Sequence, residues 1–244
     1  MNISIIIPCY NEQFRIEKTL RRIIKWYFSQ KKINIELLLI DDGSNDNTFK
    51  ILKEFSKKYK FTKVYKKKHT GHIKTLFYGF RKSKYSIVGN MEADNSISVN
   101  YFSKFSKYII NYDVVTADRV SKFFQPNNKK NLFRMALSIF YLILFKILFS
   151  SNIKDTQAGF RLYKRVILFK FLKRIKIKHD GLKVAELILK QEKAKIKIKQ
   201  VVVINKHDED SRLVPKLSIK NLKAIVILIF EVVSNLIILK KLIK

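Results

Sequence analysis

The sequence predicts an α/β fold, a mostly parallel central sheet flanked by helices, and three observations carry that expectation. Residues 3–7 (ISIII) and 35–40 (IELLLI) are short, nearly continuous apolar runs rich in β-branched residues, as strands become when both faces of a parallel sheet are covered. Longer stretches with helical spacing of apolar residues separate such runs, which is the βαβ rhythm. Finally, 244 residues with 47% apolar and 13% aromatic content, but only six Gly and three Pro, can bury a core and exclude disordered or collagen-like classes.

The elements follow in order. The first strand ends at Pro8, a helix is expected over residues 14–28, and the second strand is stopped by Asp41-Asp42-Gly43-Ser44. Asp46 is placed to cap a helix over residues 48–59. Strands over 62–65, 86–91 and 113–116, with helices between them, complete an open sheet within the first 118 residues. Ligands of such sheets bind beyond the carboxyl ends of the strands. Residues 132–149 are almost continuously apolar but carry Arg134 and Lys146, so an interfacial helix is expected rather than a span. A helix near 182–191 and a strand near 196–204 come next. Residues 224–239, broken only by Glu231, Ser234 and Asn235, are short for a hydrocarbon core of about 30 Å.

The formal net charge of +32 would attract any polyanion. It is made of 41 Lys against 10 Arg, however, whereas base readers favour the bidentate Arg fork. Nucleic acid is therefore not expected as a partner; anionic lipid or a phosphorylated small molecule is. One cysteine forms no intramolecular disulfide, and the first residues lack the pattern of a secretory signal, so a cytosolic compartment is the expectation. Cys9 reads as a buried small side chain, and His69, His72, His179 and His207 show no zinc pattern.

Chemistry concentrates in three acidic clusters at predicted strand ends: Asp41-Asp42, Glu92-Ala93-Asp94 and Asp118. Any one of them could be loop acids capping helices. Three at strand ends, in a chain with 19 acids, point instead to oxygen ligands for a hard divalent cation that bridges a diphosphate.

These residues carry a resemblance. The segments 5–12 (IIIPCYNE), 38–44 (LLIDDGS) with Asp46 and Thr48, and 91–94 (MEAD) resemble the successive signatures of family 2 glycosyltransferases of the GT-A fold. The segments 117–119 (ADR), 155–161 (DTQAGFR) and 210–213 (DSRL) are similar to the branch acting on polyprenyl phosphates, which includes dolichyl-phosphate glucose and mannose synthases. The resemblance implies a catalytic domain over residues 1–215 and a C-terminal helix over 216–244 that lies on a membrane surface or packs on protein. It implies an inverting transfer of a hexose from UDP-glucose or GDP-mannose to a polyprenyl phosphate, at the cytoplasmic face of a membrane.

Residue by residue, it implies that Pro8, Tyr10 and Glu12 line the nucleotide pocket, with Glu12 on the ribose and Asp42, beside Asp41, on the base. Glu92 and Asp94 take the positions of the Asp-x-Asp motif and would hold Mg²⁺ or Mn²⁺. Glu92 departs from that pattern by one methylene, so Asp94 is the firmer ligand. Arg119 would act at the reacting diphosphate, Lys183 and Arg212 on the nucleotide sugar, and Arg134, Ser138 and Ser211 on the acceptor phosphate. Two other readings stay open: transfer to a saccharide hydroxyl, for which Asp155 is the candidate base, and a non-catalytic basic protein binding membrane or nucleic acid, which would have no need of the acidic clusters. Oligomeric state is left undetermined.

Overall fold

The computed structural model describes residues 1–119, 132–177, 180–205 and 222–243. In chain order the elements are β1 (Asn2–Cys9), α1 (Ile16–Ser29), β2 (Asn34–Asp41), α2 (Thr48–Lys58), β3 (Thr62–Lys66), α3 (His72–Lys82), β4 (Ile87–Asn90), α4 (Tyr101–Tyr108), β5 (Val114–Asp118), α5 (Leu132–Phe149), β6 (Arg161–Lys164), α6 (Arg165–Leu172), α7 (Asp180–Lys193), β7 (Ile198–Val202) and α8 (Leu222–Ile243). They form one sheet in the order β3-β2-β1-β4-β6-β5-β7. Among the described strands only β6 runs against its neighbours, pairing antiparallel with β4 and β5. The other described pairs are parallel.

Alternation along the strands divides the core. Ile3, Ile5, Ile7, Leu37 and Leu39 face a layer that holds Leu20 and Ile23 of α1 and Phe102 and Phe105 of α4. Ile6, Leu38 and Ile40 face the other side, against Leu76 and Phe80 of α3 and Leu168 and Phe171 of α6. Both faces are covered, which is why β1 and β2 read as near-continuous apolar runs.

Two features depart from the expectation. The short strand β6 and helix α6 were not foreseen, because Arg161-Leu162-Tyr163-Lys164 offers four residues with two charges and no clear period. Asp46 does cap α2, but from one position before the N-cap: its Oδ1 accepts the Thr48 N–H at 2.9 Å, while Asn47 makes no side-chain cap. The other boundaries agree within a few residues.

Helix α8 packs on the chain itself. Leu236, Leu239 and Ile243 are buried with Phe145 of α5 and with Leu182, Ala185 and Leu189 of α7. The same two helices expose apolar residues elsewhere, Phe140, Ile143 and Ile147 on α5 and Phe230, Ile237 and Ile238 on α8. Among the described residues, no helix is long and apolar enough to cross a membrane.

Candidate active site

The parallel strands bring their carboxyl ends, Cys9, Asp41, Lys66, Asn90, Asp118 and Val202, to one edge. The antiparallel β6 starts there, because Arg161 pairs with both Asn90 and Thr116. Every acidic cluster singled out in the sequence therefore lies along this edge.

The loops after β1 and β2 are knitted by side chains at alternate positions. The N–H groups of Asn11, Glu12 and Gln13 donate to Ser44 Oγ at 3.0 Å, Thr48 Oγ1 at 2.7 Å and Asp46 Oδ2 at 3.3 Å. In return the Asn45 N–H donates to Asn11 Oδ1 at 2.9 Å. This gives the pattern of Ser44, Asp46 and Thr48 a structural meaning: each supplies an oxygen for a backbone donor that the end of a strand leaves unpaired. Glu12 is held by Arg15 in a two-pronged pair, with both N···O distances 2.8 Å. Pro8 is the penultimate residue of β1 and is buried.

Asp41 and Asp42 differ sharply. Asp41 is fully buried; its Oδ2 accepts the Ser44 N–H at 3.3 Å and its Oδ1 has no hydrogen-bond partner. Asp42 is 2% exposed and is the hub of the loop after β3. Its Oδ1 accepts from Lys67 Nζ and from the Thr70 N–H at 3.0 Å, and its Oδ2 accepts the Gly71 N–H at 2.9 Å with His69 Nδ1 3.0 Å away. Burial alone would raise its pKa, but the Lys67 ammonium, the Thr75 hydroxyl and the two backbone donors prevail and hold it below the usual carboxylate range. The His69 ring lies against Tyr10 with centroids 4.2 Å apart. Beside them residues 43–45 and 66–69 line a cavity of 580 Å³.

Glu92 lies across Gly159. A Cβ on that glycine would fall 1.8 Å from Glu92 Oε1, 2.5 Å from Cδ and 2.7 Å from Cγ, so the extra methylene of Glu fits because residue 159 has no side chain. Glu92 Oε1 is 3.5 Å from Nε2 of His72, at the start of α3. Burial works against the Glu92 anion, but His72, Arg119 and Arg161 outweigh it and lower the pKa, while Glu92 in turn raises that of His72. Asp94 is half-buried, its Oδ1 accepting the Ser96 N–H at 2.8 Å in a turn where Asn95 has φ 52°.

Arg119 forks onto Asp155, with Nε to Oδ2 at 2.7 Å and Nη2 to Oδ1 at 3.0 Å, and its own N–H reaches Oδ2 at 3.2 Å. Burial opposes the charge on both, yet their mutual attraction lowers the pKa of Asp155 and raises that of Arg119. Behind them Arg161 is 1% exposed, donating from Nε to Thr116 Oγ1 at 3.0 Å and from Nη2 to the Thr156 carbonyl at 2.8 Å. Asp118 is buried. Cys9 is buried as expected, and burial first, then the carboxylates of Glu12, Asp41 and Glu92, push its thiol well up, which leaves it inert.

Sequence reasoning missed residues 67–70, Gly159 and Arg161 as parts of this edge; Gly159 and Arg161 carried a signal, since both lie in the DTQAGFR segment. Lys183 is half-buried on α7. Arg134 and Ser138 are placed on α5. Ser211 and Arg212 lie outside the described residues.

Among the described residues no three His, Cys, Asp or Glu side chains form a metal cage. Two hard carboxylates at one edge still suit Mg²⁺ or Mn²⁺, which take one or two protein carboxylates and complete their shells with substrate phosphates and water. An edge that offers these carboxylates, and beside them Arg119 and His72, suits a diphosphate bound together with a divalent cation.

Comparison with known proteins agrees with this geometry. The family model described as Glycosyl transferase family 2 matches residues 4–171. A dolichol-phosphate mannosyltransferase of Pyrococcus furiosus is 27% identical over 201 residues, covering 77% of this chain but 55% of that protein, so the chain spans about half the length of that relative. A dolichyl-phosphate beta-glucosyltransferase of Dictyostelium discoideum is 26% identical over 235 residues, covering 87% of this chain and 69% of that protein. Among solved structures, glucosyl-3-phosphoglycerate synthase of Mycobacterium tuberculosis, in complex with Mn²⁺, UDP and phosphoglyceric acid, superposes with a TM-score of 0.63 at 13% identity, covering 98% of this chain and 78% of that one. The fold expected from the sequence, GT-A, is the fold observed.

Proposed function

We propose, from the premise that the chain belongs to glycosyl transferase family 2, that it moves a hexose from a nucleotide diphosphate sugar to a polyprenyl phosphate, with inversion at the anomeric carbon. One observation carries the choice of acceptor. Asp155, the candidate base for a saccharide hydroxyl, is sequestered by both prongs of Arg119 and by the Gln157 N–H at 3.1 Å. Its proton affinity is depressed, which makes it a poor base. A phosphate monoester, with a second pKa of about 6, is already ionised near neutral pH and attacks without one. The names of the two polyprenyl-type relatives support the same acceptor class.

In this reading Glu92 and Asp94 hold a divalent cation, which when bound neutralises charge on the departing diphosphate. Arg119, steered by Asp155, keeps its Nη1 end for a phosphate oxygen, a charge-assisted contact stronger than a neutral one. Tyr10, Glu12 and Asp42 belong to the nucleotide site with Pro8 and Asp41 behind them, joined by Lys183 and Arg212. Arg134, Ser138 and Ser211 serve the acceptor phosphate. The exposed apolar residues of α5 and α8 rest on the cytoplasmic surface of the membrane that carries the acceptor. Burial of each large side chain contributes roughly 1.5–3 kcal/mol, and each nearby lysine about 1 kcal/mol on anionic lipid.

The test is incubation with radiolabelled UDP-glucose or GDP-mannose, Mg²⁺ or Mn²⁺, and either a short polyprenyl phosphate or a saccharide. Label in the lipid product is the expected result. Label only in the saccharide refutes the acceptor assignment.

A further inference from the structure

We infer that Tyr141 is a positioning residue for the acceptor: its hydroxyl fixes helix α5 against the segment that carries Asp155, and so sets the acceptor phosphate in register with Arg119. The inference rests on the polyprenyl-phosphate reading above and adds to it the residue that aligns the two substrates.

Residues 152–159 are pinned to the sheet by side chains of β4, β6 and β7. Gln200 of β7 accepts the Lys154 N–H at 2.7 Å and donates to the Asn152 carbonyl at 2.8 Å, so both ends of its amide close on one stretch of backbone. Asn90 of β4 donates from Nδ2 to the Gly159 carbonyl at 2.8 Å. Arg161 of β6 donates to the Thr156 carbonyl at 2.8 Å and to Thr116 Oγ1 of β5 at 3.0 Å. Asn90, Arg161, Thr116 and Gln200 are successive partners in the register of these strands. One polar row across the sheet therefore holds the segment, and Asp155 reaches from it to Arg119.

Helix α5 meets this anchored segment through a polar contact. The Tyr141 hydroxyl lies 3.3 Å from Oγ1 of Thr156, a residue 3% exposed, and the Tyr141 ring stacks on Phe145 with centroids 5.7 Å apart. Burial raises the pKa of Tyr141 against the Thr156 and Gln157 side chains, which lower it, so the hydroxyl keeps its proton. Phe145 packs among apolar side chains of α7 and α8. Apolar packing has no direction and tolerates a helix that turns about its axis, whereas a hydrogen bond to a fixed hydroxyl opposes such a turn.

Positions 134, 138 and 141 recur as i, i+4 and i+7 along one face of α5, and Arg134 and Ser138 are the residues assigned above to the acceptor phosphate. The exposed Phe140, Ile143 and Ile147 fall about half a turn away, on the face assigned to the membrane. Rotation of α5 would displace the acceptor positions from the site edge. The Tyr141–Thr156 contact resists it, and the acceptor helix and Arg119 thereby share one anchor, the pair Asp155-Thr156.

Tyr141→Phe keeps the ring and removes the hydroxyl. Steady-state kinetics with UDP-glucose or GDP-mannose and a short polyprenyl phosphate should show KM for the lipid raised about five- to tenfold, with KM for the nucleotide sugar unchanged within twofold. Thr156→Val removes the partner hydroxyl and should raise the lipid KM in the same direction. Equal rises in both KM values overturn the inference, as does a lipid KM within twofold of the unmodified protein in either variant when its thermal melt shows it folded. If Tyr141→Phe does not fold, Thr156→Val decides alone. No transfer to the lipid by the unmodified chain overturns the acceptor reading, and this inference with it.

Discussion

Replacing Gly159 with alanine should damage the site while leaving the fold nearly intact. The added Cβ would meet three atoms of a single side chain, Cγ, Cδ and Oε1 of Glu92, at 2.7, 2.5 and 1.8 Å. None of these distances can be tolerated, but Glu92 is about a third exposed and can swing toward solvent, so the backbone need not move. Stability should therefore change by no more than about 1 kcal/mol, or roughly 2–4 °C in Tm for a chain of this size. Swinging out withdraws the carboxylate from His72, Arg119 and Arg161 and takes one metal ligand from its place. A loss of about 1.4–3 kcal/mol of transition-state stabilisation follows, ten- to a hundredfold in turnover, with weaker apparent Mn²⁺ affinity. Thermal melts, steady-state kcat and an Mn²⁺ titration read the three quantities. Glu92→Asp in the same chain should restore part of the activity, because it removes the two closest contacts, at 1.8 and 2.5 Å, and leaves only the Cγ contact at 2.7 Å to be relieved by rotation about χ1. Turnover of Gly159→Ala within threefold of the unmodified protein, or no recovery in the double variant, would refute the reasoning.

Asp155→Asn should lower stability by about 3 kcal/mol at pH 7, since it strands the largely buried Arg119 charge. The folded-state pKa of Asp155 lies below its unfolded value of about 3.9, so the stabilisation is fully present above that value and is lost as pH falls through the folded pKa. Melts of the two proteins should converge in acid, and a gap that persists at pH 2 argues against ion pairing as its source. Asp94→Asn should cut transfer about a hundredfold, on the order of 3 kcal/mol, with an unchanged circular dichroism spectrum; turnover within threefold of the unmodified protein contradicts the assignment. Ile143→Asp with Ile147→Asp, both exposed on α5, should abolish flotation with anionic liposomes, removing about 3 kcal/mol or more of burial. Undiminished flotation places the membrane contact elsewhere, and resistance of the unmodified protein to carbonate extraction argues against surface binding.

Much of the first half was legible because its signals are local. A strand buried on both faces needs apolar residues at nearly every position, so β1 and β2 could be read from composition alone. The acids at strand ends were legible for a related reason: in a parallel sheet, strand order along the chain places successive carboxyl ends at one edge. The strand β6 was not legible, because its place between β4 and β5 is fixed by pairing with residues 45 to 77 positions away and not by any pattern of its own. The burial of Arg161 is similarly opaque, although its segment was noticed. In a chain with 51 basic residues nothing marks one arginine as buried, and its partner Thr116 is 45 residues distant.

The sequence by itself determined which residue types stand at which strand ends, and through them the family chemistry of a diphosphate and a hard cation. Only the tertiary structure decided which of those carboxylates are available to a ligand. Asp42 is held by donors of a loop 25 to 29 residues away, Asp155 by an arginine 36 residues away, and Glu92 has room only because a glycine at position 159 passes beneath it. The chain's own pattern encodes where a charge is; whether that charge is free depends on donors that folding brings to within about 3 Å, and over such distances in a partly dehydrated edge their pull outweighs any local preference.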